Sequence, residues 1–196
     1  MNQDKILKKL ITKYCGKQKA DEYFSFKLEG KQVLIDTAQE LLESLPPSFG
    51  ACALISATWA GFLRDKYSVP AIVVAGDLEI EDKKIFKCRK NLPVPKKTGK
   101  LVLGKWDGHC WIEVDGIIGD LSIFRTAYAV KGPSILKEYI VSNFGIGRGA
   151  FLCPKNEFPT DLKYVPKYVL DRKQINGLIS GMMYQLEHGN NIGQVK

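Results

Sequence analysis

The chain has 196 residues, of which 45% are hydrophobic and 26% are charged, and its formal net charge is +8. This composition is close to the globular average, which excludes a disordered chain, a collagen-like repeat and a coiled coil. At about 150 residues per domain, the length favours a single domain over residues 1–196. The five cysteines are an odd number, and no apolar segment follows the charged N-terminus as it would in a signal peptide. We therefore expect a cytoplasmic protein with free thiols.

An uncharged stretch from Ser44 to Leu63 has the length of a membrane span. The pair Pro46-Pro47 interrupts this stretch. As a helix, the part that begins at Phe49 is about 22 Å long, which is short of a hydrocarbon core of about 30 Å. We expect a buried helix here and no membrane contact.

The positive charge is concentrated in one segment. Nine basic residues and no acidic residue lie between Lys83 and Lys105, whereas the charges of the remaining chain nearly cancel. Such a segment can attract an anionic partner, or it can be a solvated loop. Aromatic residues are few within it and no nucleic-acid-binding signature is present, so we expect no nucleic-acid partner.

The first part of the chain has the apolar spacing of helices. It predicts helices over about Asp4–Tyr14 and Gln32–Leu45. A third helix is predicted from about Phe49 to Asp65, with Ser48 as its N-cap. Cys52 then lies in the first turn of this helix.

After residue 70, the hydrophobic period changes to that of strands. Ala71–Ala75 is predicted to be a buried strand that ends at Gly76-Asp77. Further strands are predicted at about Ile85–Cys88 and Leu101–Leu103.

The last part of the chain contains a predicted helix at Pro133–Phe144 and a predicted strand at Tyr164–Leu170. Asp171 and Gln174 form a capping-box pattern for a closing helix that extends to about Glu187. The order of helices, then a mainly antiparallel sheet, then helices is typical of an α+β fold.

A β-hairpin is the clearest local signal, because Asp115-Gly116 is a dipeptide that two-residue hairpin turns favour. The predicted register pairs Val114 with Ile117, Glu113 with Ile118, Ile112 with Gly119 and Trp111 with Asp120. Side chains alternate along a strand, so His109 and Asp120 lie on the same face. Asp120 is then the diagonal cross-strand neighbour of His109, within reach of an imidazole nitrogen.

A carboxylate against one imidazole nitrogen leaves the other nitrogen free to exchange a proton with a nucleophile. Cys52 suits that role, because the first turn of a helix lowers the pKa of a thiol. The backbone N–H groups of that turn can also bind an oxyanion.

The segments Phe49-Gly-Ala-Cys-Ala-Leu-Ile55, Gly108-His-Cys-Trp-Ile-Glu-Val-Asp-Gly116 and Gly119-Asp120 resemble the transglutaminase-like branch of the papain-like cysteine protease/acyltransferase superfamily. The resemblance implies that N-terminal helices, including the nucleophile helix, pack on a mainly antiparallel sheet, with a catalytic core over about residues 46–124. It also implies Cys52 as nucleophile, His109 as general base and acid, and Asp120 as the residue that orients His109. The spacing from His109 to Asp120 is shorter than in many members.

The predicted function is that of a hydrolase or acyltransferase acting on an amide, ester or thioester carbonyl, with no cofactor. Trp111 and Glu113 lie on the face of His109 and are candidates for substrate binding. The alternative is a catalytically inactive binding module of the same fold that engages an anionic partner through residues 83–105.

Four residues of types that can bind zinc are Cys88, His109, Cys110 and Cys153. No Cys-x-x-Cys or His-x-x-x-His spacing supports such a site, and Cys110 points to the opposite face from His109. We expect no metal site.

Overall fold

The computed structural model describes residues 3–46, 50–93 and 106–188. The helices in these ranges are α1 (Gln3–Cys15), α2 (Lys17–Ser25), α3 (Gln32–Ser44), α4 (Cys52–Tyr67), α5 (Ile123–Tyr128), α6 (Ser134–Phe144) and α7 (Arg172–Glu187). The strands are β1 (Ile72–Ile80), β2 (Lys83–Phe86), β3 (His109–Val114), β4 (Ile117–Asp120), β5 (Phe151–Pro154) and β6 (Leu162–Val169). All paired strands are antiparallel. This combination confirms the predicted α+β class.

The sheet is organised around the long strand β1. Its first half pairs with β3 and its second half with β2, while β6 follows the opposite edge along most of its length. The sheet then continues from β3 to β4 and ends at β5. The predicted end of β1 at Gly76-Asp77 is wrong, because the strand continues to Ile80. Glycine is needed at position 76 within the strand, because β6 passes so close that a Cβ atom there would lie 2.1 Å from the carbonyl oxygen of Val165.

The predicted hairpin is present between β3 and β4. Asp115 and Gly116 have φ angles of +42° and +73°, as a two-residue turn with two left-handed positions requires. Three predicted pairs are confirmed, namely Ile112 with Gly119, Glu113 with Ile118 and Val114 with Ile117.

The starts of two predicted elements are corrected by turns with positive φ angles. The helix predicted from Phe49 begins at Cys52, and its N-cap position is Ala51 rather than Ser48, because Gly50 at φ +74° breaks the helical path. The strand predicted at Ile85–Cys88 is β2, which begins two residues earlier because the turn at residues 81 and 82 sets its register.

Other predicted elements agree with the structure to within about two residues at each end, including the closing helix with its capping box. The predicted strand Leu101–Leu103 lies outside the described residues, as does Ser48. The short elements α2, α5 and β5 were not predicted. Each of them has only four to nine residues, too few for a clear period.

Two hydrophobic cores lie on the two faces of the sheet. One core joins α3, α4 and α7 to the face of β3 that carries Cys110, Ile112 and Val114. The other joins α1, α2, α5 and α6 to the face that carries Trp111. All six residues of β3 are therefore buried. None of the helices in the described ranges has the length and apolar character that crossing a membrane requires.

Candidate active site

Cys52 is the first residue of α4 and is 9% exposed. No side chain in the described part of the chain caps this helix. The N–H groups of the first turn have no carbonyl partner within the helix and form its positive end. Cys52 therefore lies at the end of α4 where unpaired backbone donors favour a thiolate and can bind an oxyanion.

Hydrogen bonds hold α4 against its neighbours. Ser56, one turn after Cys52, donates its hydroxyl to the carbonyl oxygen of Cys110 in β3 at 3.1 Å. Trp59 donates its indole N–H to Thr37 Oγ1 of α3 at 2.9 Å. The first bond joins α4 to the strand that carries His109, and the second joins α4 to α3.

His109 is the first residue of β3 and is 1% exposed. Its Nε2 lies 2.5 Å from Oδ2 of Asp120. The ring stacks on Phe86 with 5.3 Å between the ring centroids, and Trp111 stacks at 6.4 Å. The imidazole also lies close enough to the Cys52 side chain for each to shift the pKa of the other. Because Asp120 occupies Nε2, Nδ1 is the ring nitrogen left to exchange a proton with Cys52.

Asp120 is fully buried, and both of its carboxylate oxygens have hydrogen-bond partners. Oδ1 accepts from the backbone N–H and the hydroxyl of Ser122, each at 2.8 Å, and from the N–H of Ile123 at 3.0 Å. Oδ2 accepts from the Tyr164 hydroxyl at 2.9 Å and contacts His109. These partners keep the carboxylate ionised and set its orientation.

The environment shifts the pKa values of all three residues. The neighbouring Cys110 thiol and His109 both favour a thiolate, so the pKa of Cys52 falls well below its usual value of 9.0 despite burial. Burial opposes a charged His109, but Asp120 and Cys52 together outweigh burial and raise the pKa of His109 to about 10. Burial also opposes a charged Asp120, but His109 and the Ser122 donors lower the pKa of Asp120. The favoured state is a thiolate–imidazolium pair beside a carboxylate.

Cys110 and Tyr164 contact the site, but no feature of the sequence identified them. Cys110 projects to the α4 side of β3, where its thiol and its backbone N–H both lower the pKa of Cys52. Burial and the neighbouring Cys52 raise the pKa of Cys110, so Cys110 remains a donor. His109 reaches the same sulfur from the first position of the strand. A neighbouring cysteine on the opposite face of β3 thus assists the proposed nucleophile.

Trp111 and Glu113 are enclosed beside His109. Trp111 is 0% exposed and donates its indole N–H to Glu113 Oε1 at 3.1 Å. Glu113 is 2% exposed, and its Oε2 lies 2.5 Å from Nζ of Lys155. In this conformation neither side chain presents a surface to a ligand, and their role in substrate binding stays a prediction.

The basic segment is partly neutralised. Lys84 lies 2.7 Å from a carboxylate oxygen of the buried Asp77 and 3.4 Å from one of Glu79. Arg89 lies 3.9 Å from Asp107. Four further lysines of the segment lie outside the described residues, namely Lys96, Lys97, Lys100 and Lys105. An anionic partner at this segment stays a prediction.

A cavity of about 660 Å³ lies far from this chemistry. It opens between α1, the end of α4 and the start of α7, where Cys15, Arg64 and Arg172 are among its lining residues. Cys52, His109 and Asp120 do not line it. The contacts between the three side chains, and not the size of a cavity, identify the candidate site. Over residues 3–46, 50–93 and 106–188, no cluster of three or more His, Cys, Asp or Glu residues is arranged to bind a metal.

No protein-family model matches this chain, and no curated protein or solved structure is significantly similar to it. The chemistry of the site is therefore argued from its own residues.

Proposed function

We propose that this protein is a cysteine-dependent hydrolase or acyltransferase with a transglutaminase-like fold, acting through Cys52, His109 and Asp120. One observation carries the proposal. His109 Nε2 lies 2.5 Å from Asp120, and the Cys52 side chain lies close enough to His109 for each to shift the pKa of the other, in an order that suits nucleophile, base and orienting acid. Free thiols at all five cysteines also support the proposed cytoplasmic location.

The reaction begins with attack of the Cys52 thiolate on a carbonyl carbon of an amide, ester or thioester. A carbon–sulfur bond forms, and the carbonyl electron pair moves to oxygen, which the N–H groups at the start of α4 stabilise. His109 then donates the Nδ1 proton to the leaving group as the tetrahedral intermediate collapses to an acyl-enzyme. Water or an amine, deprotonated by His109, attacks the acyl-enzyme and releases the thiolate.

Asp120 keeps the imidazole in the orientation that this sequence of steps requires. Its negative charge stabilises the imidazolium that coexists with the thiolate. A buried ion pair on its own contributes little to stability, since desolvation offsets the attraction between its charges. The additional contact with a cysteine at an uncapped helix start supports catalysis over a purely structural role for this pair.

Selective alkylation tests the proposal. The full chain is treated with limiting iodoacetamide between pH 5 and 9, and the labelled peptide is identified by mass spectrometry. A free thiol with a pKa of ~8.5 is ionised to less than about 1% at pH 6. We expect Cys52 to react at pH 6 far faster than that fraction allows, and His109→Ala to abolish this advantage.

Cys153→Ala is the matched control, because Cys153 is half-buried and its pKa is raised by burial. This variant should leave the alkylation profile of Cys52 unchanged. A Cys52 that reacts like an ordinary thiol, with no response to His109→Ala, contradicts the proposed chemistry.

The alternative is a catalytically inactive binding module, and the closure of the site favours it. His109 is 1% exposed and Asp120 is 0% exposed, so only the Cys52 edge is accessible. Modification of Cys52 by a small chloromethyl ketone and by a bulky peptidyl chloromethyl ketone distinguishes an enzyme from an inactive binding module. An enzyme with room for an acyl donor is modified at Cys52 by both reagents, whereas a closed module is modified by neither.

A further inference from the structure

Tyr164 belongs to β6, far in sequence from the hairpin, yet its hydroxyl reaches the centre of the candidate site. It donates to Asp120 Oδ2 at 2.9 Å, and the same oxygen lies 2.5 Å from His109 Nε2. We propose that Tyr164 is a positioning residue that holds Asp120 Oδ2 toward His109 and moderates the charge on that oxygen. This inference rests on the proposed function of the three residues.

The packing of Tyr164 leaves its hydroxyl no alternative direction. The side chain is buried, with 4% exposed. Its ring contacts Trp111 at 5.0 Å, Phe158 at 5.5 Å and Phe151 at 6.1 Å between centroids. Two of these contacts are edge-on and one is stacked, so neighbouring rings fix the tyrosine from three directions. The hydroxyl is therefore directed at Asp120 by the core and not by a mobile loop.

The two oxygens of Asp120 have different tasks. Oδ1 already accepts three hydrogen bonds from Ser122 and Ile123, which anchor the carboxylate to the chain just after β4. Oδ2 contacts His109, and Tyr164 is its second partner. A donor on Oδ2 draws charge from the oxygen that contacts the imidazole, so it limits how strongly Asp120 attracts the Nε2 proton.

Loss of the hydroxyl therefore has a defined electrostatic result. Without it, more negative charge rests on Oδ2, the imidazolium of His109 is stabilised, and the His109–Asp120 hydrogen bond strengthens. The other titratable groups that face these residues from the packed elements are Cys52 of α4, Cys110 of β3, Cys153 of β5 and Tyr139 of α6. None of them donates a hydrogen bond to Asp120 Oδ2 in the described structure.

Nuclear magnetic resonance of Tyr164→Phe tests the inference. The chain has two histidines, so substitution of His188 assigns the His109 resonances. We expect the His109 Nε2 proton to move downfield and the pKa of His109 to rise by about 0.5. A direct bond to a charged group influences ionisation by about one unit or more, and the Tyr164 hydroxyl acts on His109 only through Asp120. The alkaline limb of the Cys52 alkylation profile should move upward by the same amount.

Tyr139→Phe is the matched control. Tyr139 is also mostly buried and donates its hydroxyl to a carboxylate, that of Asp161, at 2.8 Å. This variant should leave the Nε2 proton and the pKa of His109 unchanged. An unchanged His109 in folded Tyr164→Phe overturns the inference, because a purely structural tyrosine lowers stability without moving these signals.

The inference can be tested even if Tyr164→Phe does not fold, and its failure can be told apart from failure of the proposed function. If Tyr164→Phe does not fold, tyrosines labelled with ¹³C at Cζ report on the unsubstituted chain. The chemical shift of Tyr164 Cζ must then change at the pH at which His109 titrates. A chemical shift that does not change at that pH overturns the inference. If Cys52 proves unreactive while His109 responds to Tyr164→Phe, the proposed function fails and the coupling between Tyr164 and His109 stands.

Discussion

Ser56 Oγ donates to the carbonyl oxygen of Cys110 at 3.1 Å, and this buried hydrogen bond joins α4 to β3. Ser56 lies one helical turn after Cys52, while Cys110 directly follows His109 in the chain. The bond therefore connects the two backbones that carry the thiol and the imidazole. It fixes their separation without involving either reacting side chain.

Ser56→Ala should weaken this connection. We expect the free energy of unfolding to fall by about 1–2 kcal/mol, because a buried acceptor loses a donor. Alkylation of Cys52 at pH 6 should also slow, since the start of α4 is free to shift from His109. Urea titration and alkylation rates measure the two effects. Ser44→Ala removes an exposed bond to the Glu40 carbonyl oxygen at 2.7 Å and should affect neither reactivity nor, beyond a few tenths of a kcal/mol, stability.

Cys110→Ala should raise the pKa of Cys52. The substitution removes the side-chain donor that most lowers that pKa, so less thiolate is present at acidic pH. The alkylation rate at pH 6 is expected to fall, with an upward shift of the acid limb. Cys110→Ser retains a hydroxyl donor and should preserve most of the reactivity. Equal rates in the alanine and serine variants, both below that of the unsubstituted chain, would show that packing rather than donation matters at Cys110.

Stability should respond to pH through the thiolate–imidazolium pair. The pKa of His109 is raised to about 10. Its contribution to the free energy of unfolding is therefore fully present below pH 6.5 and is lost as the pH rises through 10. The pKa of Cys52 is lowered, so its contribution is present above 9.0 and is lost as the pH falls through the lowered value. Between about pH 6.5 and 9 the folded thiolate–imidazolium pair holds one proton, and the unfolded His109 and Cys52 side chains together also hold one. The two opposite pH trends in stability therefore cancel in this interval.

Cys52→Ala removes one side of this balance. We expect the free energy of unfolding of the variant to fall as the pH rises from about 6.5 toward 9, by up to ~1.4 kcal/mol per pH unit. The unsubstituted chain should show no such slope from this pair. Urea titrations of both chains at several pH values provide the comparison. Parallel curves over this interval would mean that Cys52 is protonated beside His109.

Gly76→Ala should destabilise the sheet next to the site. A Cβ atom at this position would lie 2.1 Å from the carbonyl oxygen of Val165 and 2.7 Å from the Trp111 ring. Because the first neighbour is backbone, β6 has to move, and we expect a cost of about 3 kcal/mol in urea unfolding. Gly61→Ala meets only the flexible end of Ile179, at 2.6 Å, and should cost less. Similar costs for the two variants would contradict this account of β1 and β6.

The juxtaposition of His109 and Asp120 was predictable because it depends on local features. The turn dipeptide sets the register, and alternation along a strand then places both side chains on one face. The position of Cys52 at a helix start was likewise accessible from the apolar period. The helix begins later than predicted because Gly50 has a positive φ angle, which the sequence pattern does not specify.

The contacts made by Tyr164 and Cys110 could not be predicted in the same way. Tyr164 reaches Asp120 because β6 pairs with β1, which brings together residues more than eighty positions apart. No local period reports such a pairing. The Gly76-Asp77 dipeptide, interpreted as a strand end, instead lies within β1, where the close passage of β6 requires glycine. Tertiary contacts override the usual turn preference of this dipeptide.

Strand β3 has buried side chains on both faces, with helices packed against each side. Opening this strand requires both layers to separate, so it belongs to the part of the molecule that opens only on global unfolding. The amide protons of His109 and Cys110 should accordingly be among the slowest to exchange with deuterated solvent. In a site formed by a flexible loop, the backbone amide protons exchange quickly. The proposed chemistry here is built into a strand that is covered on both faces, so a substrate of the proposed reaction has to approach from the Cys52 end of α4 rather than through the sheet.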